Sequence, residues 1–445
     1  CRVSFDPDPA EPQAPAAVPG PTPVNLDSVF RLAERQNPQI AVAREKLNES
    51  LIQNDLAAKG WLPKVTAGVG YYRHEGGIQN EDGTLTRSSF GALYPGLDLH
   101  TEFDVREATF ARVQAEQKRW QQQGELSRTD NEQLREAAET YVDLLTARRG
   151  EAVSKELEKY QGEVLKRAQD TAKEGGQALV EAVHAELSGT EAAESRLRQQ
   201  GDAASAKLAY LLGIDPLCPL VPVDEMLAPI DLVDASAPTP VLVGRALSDG
   251  PGVRELQEML AAIDCGMAEL NGPKKYLPTL DLCAGEGAFG AGPGDSLVWA
   301  NRLDVGVQAR WNLTELFKAK DERRLAESRR RQVELNYDAL RGKLTLGVKE
   351  SQEAILSGRE QIDRASEQIK RASEAYRISN LRLTQNAPGA TPAEVLQSLR
   401  GLEQAHFNYI TSVSAYNKAQ VRLLLLLGPA AACGPAGPAA VLPAP

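Results

Sequence analysis

The sequence predicts an α+β chain in which one unit, made of a helix, a β-hairpin and a long helical hairpin, occurs twice. Two long stretches without proline, at about 104–173 and 318–386, carry a helical pattern of apolar residues. Shorter segments alternate between apolar and polar residues, which is the period of a strand. Leu-Leu-Gly ends a helical stretch at 211–213 and again at 426–428, 215 residues later. Because this spacing is far longer than a solenoid repeat, it indicates an internal duplication.

The composition narrows the class of protein. The chain has 445 residues and a net charge of −11, with 42% hydrophobic and 25% charged residues. These fractions are ordinary for a folded protein and exclude broad disorder. No run of 18 apolar residues occurs, which argues against a membrane-spanning helix. The acidic balance argues against nucleic acid as a partner.

The first half contains a helix followed by a β-hairpin. Residues 26–59 have the pattern of one helix, and Pro63 follows it as a helix-stopping residue. Residues 64–73 alternate as a strand. A turn rich in Gly, Asn and Asp is predicted at about 75–87, and a second strand at 88–99.

The second half carries the clearest strand, because every second residue from Leu303 to Leu313 is apolar and polar residues or glycine lie between. Such alternation fits the wall of a membrane barrel, with lipid on one side and water on the other. Four strands in one chain cannot close a barrel, whereas three chains would supply twelve. A β-domain packed on a soluble partner is the alternative. Aromatic residues near the predicted strand ends could form interfacial girdles: Tyr71, Tyr72, Phe90, Tyr94, Phe289, Trp299 and Trp311.

The two long helical stretches favour a coiled coil. Each could extend about 100 Å at the helical rise of 1.5 Å per residue. Ile355, Ile362 and Ile369 recur every seven residues, with a small residue three positions after each. Alternating large and small residues let neighbouring helices interlock. The alternative is an antiparallel helical hairpin in a soluble scaffold, which leaves the amphipathic strands unexplained.

The two ends of the chain have a different composition. Residues 1–24 are rich in Pro and Ala and predict an extended tether, and residues 429–445 predict a disordered tail. The chain begins at Cys1. A processed chain that starts with cysteine is typical of a bacterial lipoprotein, so we expect a covalent lipid on Cys1 and no other cofactor. An arbitrary truncation is the alternative.

The remaining residues with reactive side chains do not form a recognisable catalytic or metal site. No CxxC pair occurs and the four histidines are scattered, so a metal site is not expected. Disulfides are chemically conceivable, but spacing assigns no pairing among Cys218, Cys265, Cys283 and Cys433.

One motif resembles a nucleotide-binding fingerprint and is set aside. Residues 285–290 match GxGxxG, but Gly292-Pro293 follows where a helix would have to begin. We therefore interpret the segment as an extracellular hairpin loop, and Arg329-Arg330-Arg331 as helix surface. With no catalytic motif present, the sequence does not predict an enzyme.

An ordered set of marks, repeated in both halves, resembles the TolC-like outer-membrane efflux proteins, or outer-membrane factors. The resemblance covers about 25–428. The family includes many lipid-anchored members. The residues that carry it are Trp61-Leu62-Pro63, Tyr276-Leu277-Pro278, Trp311-Asn312-Leu313, Phe317, Gly389, Glu394-Val395-Leu396, Ala405, Tyr409, Tyr416-Asn417, Ala419 and Leu427-Gly428.

The resemblance implies a homotrimer in the outer membrane of a Gram-negative bacterium. Its 12-stranded β-barrel, with four strands per chain, would continue into a coiled-coil α-helical barrel in the periplasm. A periplasmic adaptor and an inner-membrane pump would engage it, and substrates would leave through it without covalent chemistry. A periplasmic coiled-coil scaffold without channel activity is the alternative function. The transported substrate is not predicted.

The resemblance also suggests where the periplasmic gate lies. The long helices turn near Gly175-Gly176 and Pro388-Gly389, and an acid follows each turn five residues later. The gate candidates are Glu181, His184, Glu394 and Gln397. Three copies of Glu394 could form a cation-attracting ring, whereas the amide of Gln397 does not support a second acidic ring. A helix-start acid favoured by the helix dipole is the alternative role of Glu394.

The same turns are expected to meet the adaptor. The candidates are Lys173, Glu174, Gly175, Gly176, Asn386, Pro388, Gly389 and Thr391. The predicted organisation is a tether at 1–24, a first repeat at 25–215, a linker at 216–240, a second repeat at 241–428 and a tail at 429–445.

Overall fold

A computed structural model describes residues 20–60, 62–171, 177–224, 227–271, 277–293, 296–311, 313–385 and 387–428. It is mainly helical, with one four-stranded sheet and one short two-stranded sheet. The elements in chain order are β1 (Thr22–Val24), α1 (Leu26–Gln36), α2 (Pro38–Ala58), β2 (Lys64–Gln79), β3 (Leu85–Phe103), α3 (Val105–Thr171), α4 (Gln177–Leu211), β4 (Leu220–Pro222), α5 (Thr239–Asp249), α6 (Val253–Asn271), β5 (Thr279–Pro293), β6 (Val298–Arg310), α7 (Leu313–Thr384) and α8 (Pro392–Leu427).

The chain divides into two compact units. The first takes in the chain up to Glu45, Gly124–Arg254 and the chain from Ala339, and the second takes in Lys46–Gln123 and Glu255–Asp338. Both units draw on both halves of the sequence. The predicted repeat and linker boundaries are a different kind of division, and they stay a prediction.

The first unit has a continuous apolar core between its helices. Tyr141, Leu144, Leu208, Leu399 and Leu423 are all at most 2% exposed, and they belong to one cluster. Burying an aliphatic side chain of this size contributes about 1.5–3 kcal/mol. The heptad positions Ile355 and Ile362 lie in the same cluster, as the predicted coiled-coil pattern requires.

The predicted linker at 216–240 is held against this core. Its strand β4 pairs in parallel with β1, so the last residues of the predicted tether contribute a strand. Asn417 and Gln420 of α8 accept hydrogen bonds from the backbone N–H groups of Ile230 and Val233, both at 2.9 Å. Tyr416 donates its hydroxyl to Asp231. These polar contacts satisfy backbone groups that no strand or helix would pair.

The second unit contains the sheet, which has the strand order β2-β3-β5-β6 and is antiparallel throughout. One register row joins Val65, Leu99, Ala284 and Val305, and the next joins Thr66, Asp98, Gly285 and Asp304. Because residues in a row share a face and successive rows alternate, one face is mainly apolar and the other mainly polar. Glu286 lies on the mainly apolar face, in a row with Leu97 and Leu303.

The strands are longer than the sequence predicted, and the first turn is shorter. The turn predicted at about 75–87 contains only residues 80–84, because Gly76 and Gly77 pair with Ser88 and Arg87 as parts of β2 and β3. The expectation that the aromatic residues lie near strand ends is therefore wrong for those of the first hairpin, which lie well inside their strands: Tyr71, Tyr72, Phe90 and Tyr94.

The GxGxxG segment is a strand and not a hairpin loop. Residues 285–290 lie inside β5 and pair with both β3 and β6. A Cβ added at Gly285 or Gly287 would come within 3.4 Å of the Tyr94 side chain, and one at Gly290 would lie about 3.0 Å from the Trp299 ring. The glycines make room for aromatic rings that pack on the sheet.

The first predicted helix is interrupted. Residues 26–59 form α1 and α2, with Asn37 between them in an extended conformation. Pro38 disfavours helical geometry at the preceding residue and begins α2. The Asn37 side chain, 2% exposed, donates to the Leu211 carbonyl at 2.9 Å and accepts from the Gln39 backbone N–H at 2.8 Å.

Candidate functional site

The turn between α7 and α8 is formed by a short run of backbone hydrogen bonds. Ala387 donates to the carbonyl of Arg382 at 3.0 Å, and Gly389 has φ +77° in the left-handed region. Thr391 then caps α8, since its hydroxyl accepts from the Glu394 backbone N–H at 3.3 Å. Pro392 occupies the first turn of α8, where a missing N–H is harmless. The predicted reversal near Pro388-Gly389 is present.

Glu394 is ion-paired across this turn. Its carboxylate lies 2.6 Å from the guanidinium of Arg382 in the last turn of α7. The two side chains are 39% and 44% exposed, so the pair is accessible to water. Glu394 is also in the first turn of α8, where the dipole favours a carboxylate. The helix-start role is therefore present, while a ring of three such carboxylates stays a prediction.

The other gate candidates lie on exposed helix faces. Glu181 and His184 are exposed on α4, and Gln397 is exposed on α8. Behind them, a small core joins the ends of α3, α4 and α8, formed by Val164, Ala168, Val183, Val395 and Leu396. Glu181 with His184, and Glu394 with Gln397, are separated by three positions and point away from this core.

Several predicted positions fall outside the described residues. These are Cys1, Lys173, Glu174, Gly175, Gly176, Asn386 and Cys433. Of the adaptor-contact candidates that are described, Pro388, Gly389 and Thr391 are all exposed.

Polar contacts near the helix ends link all the long helices, and the sequence analysis did not predict them. Arg167 of α3 donates to Asn380 of α7 at 2.6 Å. The hydroxyls of Ser379 and Ser398 lie 2.7 Å apart and join α7 to α8. Arg400 of α8 pairs with Glu186 of α4 at 2.6 Å. The partners are 19 to 214 positions apart, so no local spacing reveals them.

Two titratable residues, Glu403 and His406, lie on α8 after Arg400. Burial raises the pKa of Glu403, and the nearby Glu186 carboxylate raises it further. Burial lowers the pKa of His406, although Glu156 opposes this effect. His406 also lines a cavity of about 150 Å³ together with Glu156 and Tyr160. A neutral imidazole is therefore favoured at neutral pH.

The apolar face of the sheet is a separate candidate surface in the second unit. Val65, Leu303, Val305 and Val307 are between 62% and 73% exposed. Contiguous apolar surface of this kind marks a membrane or protein interface. On the other face, Arg310 pairs with Glu102 at 3.0 Å and with Asp281 at 2.5 Å.

Comparison with protein families finds a match over part of the chain. The family model described as "Outer membrane efflux protein" matches residues 29–214. Residues 29–214 are therefore similar to outer membrane efflux proteins. The predicted resemblance is therefore confirmed, and this family consists of channels and not of enzymes. No curated protein sequence matches the chain.

Solved structures of three bacterial membrane proteins have the same fold as this chain. The Campylobacter jejuni CmeC outer membrane channel matches with a TM-score of 0.70 and 16% identity, over 91% of this chain and 85% of the other. The outer membrane protein VceC from Vibrio cholerae gives 0.69 and 15%, over 91% and 96%. A membrane protein from Pseudomonas aeruginosa gives 0.73 and 16%, over 96% and 97%. At these identities, the likeness shows the fold of the chain.

Three further properties concern the described residues alone. None of their helices is both long and apolar enough to span a membrane. No group of His, Cys, Asp or Glu side chains among them is arranged to hold a metal. Cys218 is a buried free thiol, and Cys265 and Cys283 are exposed free thiols.

Proposed function

We propose that this protein is an outer membrane efflux protein and serves as the exit channel of a tripartite efflux or type I secretion system. Three copies would form a 12-stranded barrel in the outer membrane of a Gram-negative bacterium and an α-helical barrel in the periplasm. A periplasmic adaptor and an inner-membrane pump would deliver substrates into it. An internal duplication would let each protomer contribute two similar hairpins to both barrels.

The sheet is the observation that carries this proposal. Its apolar face is exposed over both hairpins, and its polar face carries charged side chains such as Asp98 and Arg310. Within the described residues, β2 and β6 each pair on one side only, so both edges can accept a neighbouring strand. If three such sheets close into a barrel in a bilayer, the unpaired strand edges gain partners and the apolar face lies against lipid. In a periplasmic scaffold, the strand edges would stay unpaired and the apolar face would be exposed to water.

The same proposal assigns roles to the terminal cysteine and the helix turns. Cys1 would carry a covalent lipid that anchors the chain to the outer membrane, with no other cofactor. Glu394, Gln397, Glu181 and His184 would line or border the periplasmic gate. Adaptor contact would involve Pro388, Gly389 and Thr391, together with the turn at 173–176 and Asn386.

Fractionation tests the channel assignment. The full-length precursor, produced in a Gram-negative host, should enter the outer membrane, form a trimer in detergent and give ion conductance in planar bilayers. Protein that is soluble without detergent and not trimeric in detergent would contradict the proposal and favour the scaffold.

Two further experiments test the finer assignments. Labelling with a palmitate analogue should be lost in Cys1→Ser and retained in Cys265→Ser, in which a different exposed thiol is removed.

A photo-crosslinking residue at Pro388 should capture an adaptor protein, whereas one at Arg371, which is 81% exposed on α7, should not. Equal capture at both positions would argue against recognition at the turn.

A further inference from the structure

The polar face of the sheet contains an open cavity, here called the trough, beside Tyr94 and the glycines that this ring covers. Tyr94 of β3 lies over Gly96, Gly285 and Gly287, since a Cβ added at any of these would come within 3.4 Å of its side chain. Because these positions carry no side chains, the surface beside the ring stays open. The resulting cavity has a volume of about 460 Å³, a size that accommodates a small organic ligand.

Acidic and aromatic groups line this trough. A Cβ on Gly285 would lie 2.8 Å from Asp98 Oδ1 and 3.4 Å from the Tyr94 hydroxyl oxygen, so both groups stand above the same glycine. The Phe289 ring lies 6.5 Å from the Tyr94 ring, tilted by 55°. Asp304 occupies the same register row as Asp98, two strands away.

The Asp304 carboxylate in the trough has a positively charged partner, and the Asp98 carboxylate has none among the described residues. Arg302 donates to Asp304 at 2.7 Å, and its guanidinium lies 5.1 Å from the centre of the Phe289 ring. That positive charge is therefore already balanced by Asp304. Among the residues that the structure describes, no lysine or arginine lies within ion-pair distance of Asp98. The trough therefore combines an uncompensated negative charge with the accessible ring of Tyr94.

We propose that this trough binds aromatic organic monocations, with the Asp98 carboxylate opposite the positive charge and the Tyr94 ring packed on the aromatic group. Carboxylates and aromatic faces both attract such cations, and an aromatic anion would be repelled by Asp98. The placement of the site in the path of an exported molecule rests on the proposed channel function. The binding itself does not.

Equilibrium binding to the full-length, detergent-purified protein tests the site without requiring an open channel. The probes are benzyltrimethylammonium, an aromatic monocation, and benzenesulfonate, an aromatic anion, followed by ligand-observed NMR titration. We expect wild-type protein to bind the cation in preference to the anion. Asp98→Asn should weaken cation binding about tenfold, since a charge-assisted contact is removed. Tyr94→Leu should weaken it without changing the charge.

Glu286→Gln is the matched control. Glu286 is adjacent to Gly285 but lies on the opposite face, paired with Leu97 and Leu303. The Glu286→Gln variant loses one negative charge, as Asp98→Asn does, and should bind the cation within about twofold of wild type. Unchanged binding in Asp98→Asn, equal loss in Glu286→Gln, or equal affinity for benzenesulfonate would each overturn the site. A protein that binds the cation but gives no conductance in planar bilayers would contradict the channel function and leave the site intact.

Discussion

At the scale of single residues, Gly213 and Gly428 have the same role at the ends of α4 and α8. Their φ angles are +67° and +81°, in the region that glycine adopts without strain. A Cβ at Gly213 would lie 2.3 Å from the Gln36 carbonyl oxygen, and one at Gly428 would lie 2.2 Å from that of Asp249. Each glycine therefore allows a helix to end directly against the last turn of α1 or α5.

Gly213→Ala should destabilise the protein by about 2–4 kcal/mol, because both the backbone strain and the contact with Gln36 act against the native state. The measurement is thermal or chemical unfolding of the detergent-purified protein. Gly189→Ala is the control, since Gly189 lies inside α4 with open space around it. It should be neutral or slightly stabilising, as alanine favours helices over glycine by up to about 1 kcal/mol. Equal stability of the two variants would contradict this account.

Glu151 is a second residue with a defined energetic role. It is 10% exposed on α3 and accepts hydrogen bonds from Arg148, Lys155 and Arg198, the last from α4. Burial acts to raise its pKa, but these three hydrogen bonds outweigh burial and lower the pKa to about 2. Because the folded-state value is depressed, the stabilisation is present above the unfolded pKa of about 4.3 and is lost as pH falls toward 2.

Glu151→Gln should therefore lower the free energy of unfolding at neutral pH by about 2 kcal/mol. The variant should also lose less stability than wild type between pH 5 and pH 2. Unfolding midpoints measured across this pH range test both statements. Glu367→Gln removes an exposed glutamate that pairs with Arg371, and it should follow the wild-type curve. A Glu151→Gln curve parallel to wild type would contradict the pKa assignment.

At the scale of elements, the α7–α8 turn provides a test of the proposed gate. Arg382 partly neutralises Glu394, so the two side chains should have opposite effects on ion selectivity. Glu394→Gln should lower the cation-to-anion permeability ratio in planar bilayers by about two- to threefold, and Arg382→Gln should raise it. Glu360→Gln removes a carboxylate inside α7, far from the turn, and should change the ratio less. If Glu394→Gln leaves selectivity unchanged, Glu394 is only a helix-start acid.

The elements also show what the sequence could and could not predict. The long helices and the strand alternation follow local periods of about 3.6 and 2, so they were readable without coordinates. The extent of β2 was not, because Gly76 and Gly77 have turn-like composition and only the continuing partner strand makes them sheet residues. The ion pair of Arg382 with Glu394 depends on where the turn places two helices, and residue spacing alone does not define that register.

At the scale of the whole molecule, the remaining choice is between a sheet that faces lipid and one that faces water. Val305 is 72% exposed in the single chain. If the protomer were a soluble scaffold, replacing this exposed valine by arginine would have little effect on stability. If the face lies against lipid, an arginine near the middle of the bilayer costs about 2–4 kcal/mol. The same substitution therefore has different outcomes for the two architectures.

We expect Val305→Arg to reduce the yield of trimer in the outer membrane severalfold, measured by native electrophoresis of detergent extracts. Gln308→Arg is the matched control, because Gln308 lies on the same strand in the opposite, polar face and pairs with Asp281 in the register. It should assemble like wild type, since arginine already occurs on that face at Arg302 and Arg310. Equal assembly of both variants would contradict a lipid-facing sheet. Loss confined to Val305→Arg would place the apolar face in the bilayer and require closure of the barrel by other copies of the chain, because its four strands cannot close alone.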